Sequence, residues 1–376
     1  MKPSLLMLSG DRDVAAGRRG PFYYTLEGLS REFDRIDVLT PNVRQAQPRT
    51  VHRGVHVHPS PGRRLWHVRW LVRRARALAA ERRYHLIVSH DYGIFSNGIA
   101  AARLSGRIGA PYVSEIHHVP AHPRRAQWWE SAAKLGYRAY LRFAAARARA
   151  IRVVNRQEVP ELLRRWGVPA EKILVLPSAH VDREVFRPGD HSRPYALGFV
   201  GRLVANKGLD HLVEIFATVA ADAPNSRFLV VGDGPEANAV QRRLSAAGIE
   251  DRVDRIAWVD GPDDLAALYR QMEALACTSR SEGGPRVCLE AMACGTPVFS
   301  TPVGLMPEII EQGVNGWLLP WNAKAGGDLV SQVRRARGAL AGAGAAARRA
   351  TEPFTRERIL SAYARAYRDL AAESLP

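Results

Sequence analysis

Cysteine and lysine are scarce in this sequence and long apolar runs are missing, and each shortage excludes a class of protein. Only three cysteines occur in 376 residues, Cys277, Cys288 and Cys294. An odd number without metal-ligand spacing argues against a disulfide framework and for reduced thiols in a reducing compartment. No stretch approaches the roughly 18 apolar residues of a membrane span. The opening segment, Met1 to Gly10, is a short apolar run with one lysine and no small-residue cleavage site, so it reads as a first strand and not as a signal peptide. The expected location is therefore cytoplasmic. Carboxylate pairs of the Asp-x-Asp type, which can hold a divalent cation, are represented only by Asp11-Arg12-Asp13. Lying among arginines, that match reads as a charged loop, and no metal site and no cofactor are expected.

What is present is a soluble globular composition, 46% hydrophobic and 24% charged, far from that of a disordered chain. At this length one core stops growing, and two domains are expected. Residues 1–190 hold 33 basic against 16 acidic residues, and residues 191–376 hold 21 of each, so the whole net charge of +17 lies in the first half. Only 5 of the 54 basic residues are lysine. A coding bias towards arginine explains that ratio, yet it cannot place the excess in one half. A solvated basic surface accounts for the excess in the simplest way; an anionic membrane face, an acidic acceptor or nucleic acid would use it.

Short β-rich runs at 4–8, 35–39, 86–89, 112–116, 150–154 and 173–176, then at 196–200, 227–231, 255–258, 274–277 and 297–300, alternate with helical stretches. This alternation predicts an α/β protein of parallel sheets built from βαβ units. The prolines, glycine and charges of 186–194 mark a linker. The Ala/Gly-rich stretch 338–347 reads as a helix with a soft end.

Ligands of open parallel sheets bind beyond the carboxyl ends of the strands. After the first strand stand Gly10, Gly17 and Gly20, where backbone amides can approach a phosphate or sugar closely. After 112–116 stand His117 and His118, placed to face the crevice. After 196–200 stand Gly201 and Arg202, with Lys207 and Gly208 at the start of the next helix. Two cations beside a helix N-terminus suit a diphosphate. Gly232-Asp233-Gly234-Pro235 is half of a dinucleotide fingerprint and reads as a tight turn. The richest stretch is 281–298, in which Glu282 and Glu290 bracket Gly283, Gly284 and the first turns of a helix. One carboxylate can accept from sugar hydroxyls and the other from ribose hydroxyls, with amides near Arg286 to Cys288 aimed at phosphate.

With Glu282 to Val298 following the pattern E-G-x-x-x-x-x-x-E-A-M-A-x-G-x-P-V, the sequence resembles glycosyltransferase family 4 of the GT-B class. Further landmarks fall in that family's order: Gly201-Arg202 with Lys207-Gly208, Gly304 with Glu308, Leu176 to Asp182 with Phe186 and Pro188, and His90 and His117 after two strands of the first half. The resemblance implies a GT-B fold, two Rossmann-like domains with parallel sheets facing across a cleft. An acceptor-binding domain would span 1–188, a nucleotide-sugar domain 189–352, and a helix in 353–376 would pack back on the first domain. It further implies retaining, metal-independent transfer from a UDP- or GDP-sugar, in cell-surface polysaccharide, lipopolysaccharide or glycolipid assembly. Carried over, Arg202 and Lys207 would hold the diphosphate, Glu282 the donor-sugar hydroxyls and Glu290 the ribose. His117 would sit by the transferred sugar, Gly17 would face the donor from the opposite domain, and Gly283, Gly284, Val287 and Cys288 would line the donor site. The chain departs from the family pattern at Ala16-Gly17, where paired glycines are usual, and at Gly284-Pro285, where Phe-Gly is common and proline has no amide to offer.

The partners so implied are a nucleotide sugar and a glycan or lipid-linked acceptor. Basic stretches mixed with tryptophan, at 63–74 and at 124–143, suit an interfacial helix on an anionic membrane. A GT-B-like sugar-nucleotide epimerase would share fold and donor. A basic nucleic-acid-binding protein would share the charge, but the sequence carries no recognised nucleic-acid motif and no nucleic acid is expected.

Overall fold

The alternating runs fold into two open sheets in a computed structural model that describes residues 2–62, 66–91, 95–190, 192–336 and 338–372. The first half contributes β1 (Ser4–Leu8), β2 (Arg35–Thr40), β3 (Arg49–His52), β4 (Val55–Pro59), β5 (Leu86–His90), β6 (Tyr112–Ile116), β7 (Ala150–Val153) and β8 (Ile173–Val175). Their order in the sheet is β3-β4-β2-β1-β5-β6-β7-β8. The second sheet has β9 (Tyr195–Val200), β10 (Arg227–Val231), β11 (Val253–Ile256), β12 (Leu275–Cys277), β13 (Val298–Ser300) and β14 (Gly316–Leu318), in the order β11-β10-β9-β12-β13-β14. Every pairing is parallel except β3 with β4. The central strands are mainly apolar because helices cover both faces, with buried polar exceptions such as Asp37, Glu115 and Arg152.

The helices of the first half are α1 (Arg12–Ala16), α2 (Pro21–Leu29), α3 (His67–Glu81), α4 (Ser96–Ile108), α5 (Glu130–Arg147) and α6 (Glu158–Arg165). Those of the second are α7 (Leu209–Asp222), α8 (Ala237–Ala246), α9 (Pro262–Arg270), α10 (Arg286–Ala293), α11 (Met306–Ile309), α12 (Ala323–Arg335) and α13 (Ala339–Ala350). The last helix, α14 (Arg356–Ala372), returns to the first sheet. Its Tyr363, Ala364, Tyr367 and Ala371 are buried in one cluster with Leu5, Met7, Val38 and Leu86. Each large apolar side chain so buried stabilises the seat by about 1.5–3 kcal/mol.

The strand expected at 255–258 lies two residues earlier. Val253 takes the buried position, and Trp258, 78% exposed, projects beyond the sheet. The sequence reading also omits β3, β4 and β14. The first two are written in histidine, arginine and proline, and β14 is only three residues long. Of the basic, tryptophan-bearing stretches, residues 63–65 lie outside the described residues. Along α3 the apolar positions Leu71, Ala75 and Leu78 are buried, while Trp66 just before it is 62% exposed. In the second stretch Tyr137, Tyr140 and Leu141 are buried, whereas Trp128, Trp129 and Leu135 are exposed. Among the described residues no helix is long and apolar enough to cross a membrane.

Candidate active site

Sheet register assembles the first wall of the site. Opposite one another at the carboxyl ends of β5, β6 and β7 stand His90, Glu115 and Arg152. Glu115 is buried, and its Oε2 lies 2.9 Å from Nη1 of Arg152 and 3.4 Å from Nε2 of both His90 and His117. Its Oε1 accepts from the hydroxyl of Tyr363 at 2.5 Å and from that of Tyr367. The remaining Arg152 donors reach the carbonyls of Leu176 at 3.0 Å and Pro177 at 3.2 Å. Burial raises the Glu115 carboxyl, but Arg152 and the two histidines outweigh it and hold the group well below the carboxylate range. Burial pushes His90 down to about 4, so its ring is neutral near pH 7. A buried ion pair with every lone pair satisfied contributes position more than stability. Here it fixes the strand ends, the chain leaving β8 and α14 around one carboxylate.

The second wall is a set of tight turns. Gly208 precedes α7 at φ +62°, and a Cβ there would lie 2.1 Å from the Thr278 carbonyl oxygen. That close approach brings Lys207 onto the loop after β12. Its Nζ sits 2.5 Å from Oε1 of Glu282, which also accepts from Ser279 Oγ at 2.9 Å. Burial lowers the Lys207 ammonium, and Glu282 more than restores it, raising it above its ordinary value. Glu290 faces inward from α10, its Oε2 accepting from Tyr269 at 2.9 Å, and burial raises its carboxyl. Pro285 occupies the N-cap of α10 without a side-chain cap; the Cys288 amide donates to the Pro285 carbonyl at 3.0 Å, which leaves the amides of Arg286 and Val287 available to an anion.

Backbone contacts close the two walls on each other. A Cβ on Gly283 would meet the carbonyl oxygen of His117 at 2.2 Å, and one on Gly304 would meet that of Gly283 at 2.4 Å. Glu158 Oε2 accepts from the Gly304 amide at 2.7 Å. In return Glu308 Oε1 accepts from the amides of Arg156 at 2.7 Å and Gln157 at 3.0 Å. The Arg124 amide donates to the Arg280 carbonyl at 3.1 Å, and the Arg124 guanidinium stacks on Trp321 at 5.1 Å. At the junction a cavity of about 310 Å³ is lined by His90, His117, Thr25, Ser178, Arg286 and Tyr363 among others.

The structure therefore brings His117, Gly283 and Gly284 to one junction, and Lys207 and Glu282 into one ion pair. Glu290, Val287 and Cys288 share α10, with Cys288 fully buried beneath its surface. Arg202 is exposed and has no ionic partner among the described residues. Gly17 caps α1 at φ +80° and packs against the Arg49 guanidinium of its own half. The carboxylates of the Asp-x-Asp match are committed locally: Asp11 accepts from the Val14 amide at 2.7 Å and Asp13 pairs with Arg18 at 2.6 Å. Sequence reasoning missed Glu115, Arg152, Tyr363 and Tyr367. A single acid in Tyr112-Val113-Ser114-Glu115-Ile116 and a single base in Ala150-Ile151-Arg152-Val153 were the available signal, since lone opposite charges in neighbouring buried strands must pair.

Comparison with known proteins identifies the family and the fold. The family described as "Glycosyl transferases group 1" matches residues 180–336, and the "Glycosyl transferase 4-like domain" matches residues 22–179. The D-inositol 3-phosphate glycosyltransferase of Segniliparus rotundus is 32% identical over 241 residues, covering 57% of this chain and 52% of the relative. The chain thus spans about half the length of the curated relatives it matches. Among solved structures, sucrose-phosphate synthase from Thermosynechococcus elongatus shares the fold with a TM-score of 0.82 and 21% identity, over 99% of this chain and 100% of that one. Anabaena Alr3699/HepE, solved with UDP-glucose, has a TM-score of 0.74 and 20% identity, over 97% and 99%. With both halves matched in order and the two-sheet architecture shared along the whole chain, the protein belongs to the group 1 glycosyltransferases, family 4 of the GT-B fold.

Proposed function

We propose that the protein transfers a sugar from a nucleoside-diphosphate sugar to an acceptor with retention of configuration. The observation that carries this reading is the Lys207–Glu282 pair beside the uncapped start of α10, opposite His117. In this role Lys207, Arg202 and the α10 amides stabilise the charge growing on the leaving diphosphate without a metal ion. Glu282 accepts from donor-sugar hydroxyls, Glu290 accepts from the ribose, and His117 flanks the transferred sugar. Gly17, Gly283, Gly284 and Val287 complete the donor side, with Cys288 packed beneath α10 in support. The leaving phosphate accepts the acceptor proton as the acceptor attacks from the face the nucleotide leaves. Donors are UDP- or GDP-sugars; the UDP-glucose of the HepE structure favours the first. A thermal-shift panel of UDP-, GDP-, ADP- and TDP-sugars tests the assignment. A specific donor at 100 times its Kd adds about 2.7 kcal/mol of stability, and no shift with any of them contradicts it.

The acceptor belongs to cell-surface polysaccharide, lipopolysaccharide or glycolipid assembly, and the basic first half meets it at the inner face of the cytoplasmic membrane. Exposed Trp66 beside Arg69, Arg73 and Arg76, which have no ionic partner among the described residues, and the exposed Trp128, Trp129 and Leu135 support this docking. Each basic residue near an anionic leaflet contributes about 1 kcal/mol, screened by salt. Co-sedimentation should rise with anionic lipid and fall in high salt and in Arg69→Glu/Arg73→Glu; equal binding to neutral vesicles contradicts it. Arg124 is unsuited to this test because its stacking on Trp321 joins the two halves.

A further inference from the structure

Arg286 opens α10 at the junction of the two halves, where its partly buried side chain lines the 310 Å³ cavity. Its guanidinium makes no hydrogen bond and no ion pair with any described residue. The other charges around it are committed or apart. Glu115, in the same cavity wall, is saturated by Arg152, Tyr363 and Tyr367. Glu290, one turn along α10, accepts from Tyr269 and lies beyond ion-pair distance. Arg356, a cation that acts on it, is paired with Glu27. The cavity's remaining carboxylate, Asp11, caps α1 by accepting from the Val14 amide and makes no ion pair with Arg286. Burial lowers the Arg286 pKa, yet guanidinium stays charged at any physiological pH. Nearby His180 cannot relieve it, being a potential cation itself: burial and then Arg286 hold it down to about 4, and its Nε2 has no partner.

A cation withdrawn from water without a counterion is unfavourable unless a ligand supplies one, and a guanidinium fork matches carboxylate or phosphate oxygens in two parallel bonds. The cavity borders the donor side through His117, Gly284 and the start of α10 but includes none of Arg202, Lys207, Glu282 and Glu290, which sets the Arg286 guanidinium beside the diphosphate site and not within it. We infer that Arg286 binds an anionic group, a phosphate or a carboxylate, on the acceptor, and that the enzyme selects acidic acceptors through it. Thr25, Ser178 and Asp11 line the same cavity and offer partners for acceptor hydroxyls. The inference rests on the transferase reading for the word acceptor; the anion site itself does not.

The test is titration of the full chain, with and without saturating UDP, with myo-inositol against myo-inositol 1-phosphate and glucose against glucose 6-phosphate and glucuronate. The wild type should bind an anionic probe at least tenfold more tightly than its neutral parent, and phosphate against carboxylate separates the two chemistries. Arg286→Leu should abolish the preference, Arg286→Lys should restore part of it, and UDP affinity should stay within about twofold in both. Arg286→Leu should also melt at a higher temperature than the ligand-free wild type, since it removes an unpaired, partly buried charge. Equal or absent binding of every pair, a preference that survives Arg286→Leu, or a lower melting temperature overturns the inference. A loss of UDP affinity in step with the anion preference overturns it too, by assigning Arg286 to the nucleotide. Failure of UDP to bind the wild type counts instead against the transferase reading, and the nucleotide-free titrations still decide the anion site.

Discussion

Replacing Glu282 with alanine should separate three quantities that a simple loss of a binding residue would move together. Glu282 neutralises Lys207 at 2.5 Å, with side chains only 16% and 19% exposed. Removing one partner of such a pair leaves an uncompensated charge, which costs about 3–5 kcal/mol in a buried setting. For a domain of this size that lowers Tm by about 6–20 °C. The freed ammonium then favours an incoming diphosphate, so UDP should restore stability more strongly in the variant than in the wild type, and UDP affinity should hold or rise. Turnover moves the other way: one charged hydrogen bond to the donor sugar, about 1.5–3 kcal/mol, corresponds to a 10- to 150-fold loss in kcat. Calorimetry with and without UDP, alongside transfer kinetics, reads all three. A variant with unchanged Tm and sharply weakened UDP binding would show that Glu282 serves the nucleotide and that its pairing with Lys207 does not matter.

Glu290→Ala should weaken UDP binding by about 1.5–3 kcal/mol through lost ribose contacts, while Tyr269→Phe, which removes only the hydroxyl that Glu290 accepts from, should change it little; equal losses by isothermal titration would assign Glu290 to packing. Burial, with Glu308 and Glu282 nearby, lifts Glu158 from 4.5 to about 7, so the folded state holds a proton that the unfolded chain releases. Stability from this group should therefore decline as pH rises from about 4.5 to about 7 and level off above, and Glu158→Gln should flatten the Tm–pH profile relative to the wild type; identical profiles would refute it. Transfer should survive excess EDTA, and a strict Mg²⁺ or Mn²⁺ requirement in the chemical step would overturn the electrostatic role of Arg202 and Lys207.

The strands flanking the cleft were legible from sequence because a parallel strand buried on both faces is mostly apolar, and 4–8, 112–116 and 227–231 fall where that pattern puts them. β3 and β4 were not, since an edge hairpin can be built from histidine, arginine and proline. The glutamates and Lys207 were readable because their chemistry is local to a glycine-rich turn. That Lys207 and Glu282 pair depends on Gly208 meeting Thr278, a contact between segments 70 residues apart that no spacing reports. The Glu115 cluster needs the parallel register of three strands together with a helix some 250 residues later. Arg286 was noticed only for its amide; its lack of a partner is a property of the folded cavity.

Donor cleavage with known stereochemistry tests the proposed reaction most directly. Incubating the protein with the α-linked nucleotide sugar that stabilises it, and following the product by proton NMR before mutarotation, should show an α-configured sugar, on the acceptor or released to water. Loss of the signal in Lys207→Ala would tie it to the site. A β-configured product, or no cleavage of any nucleotide sugar that binds, would contradict retaining transfer at this cleft.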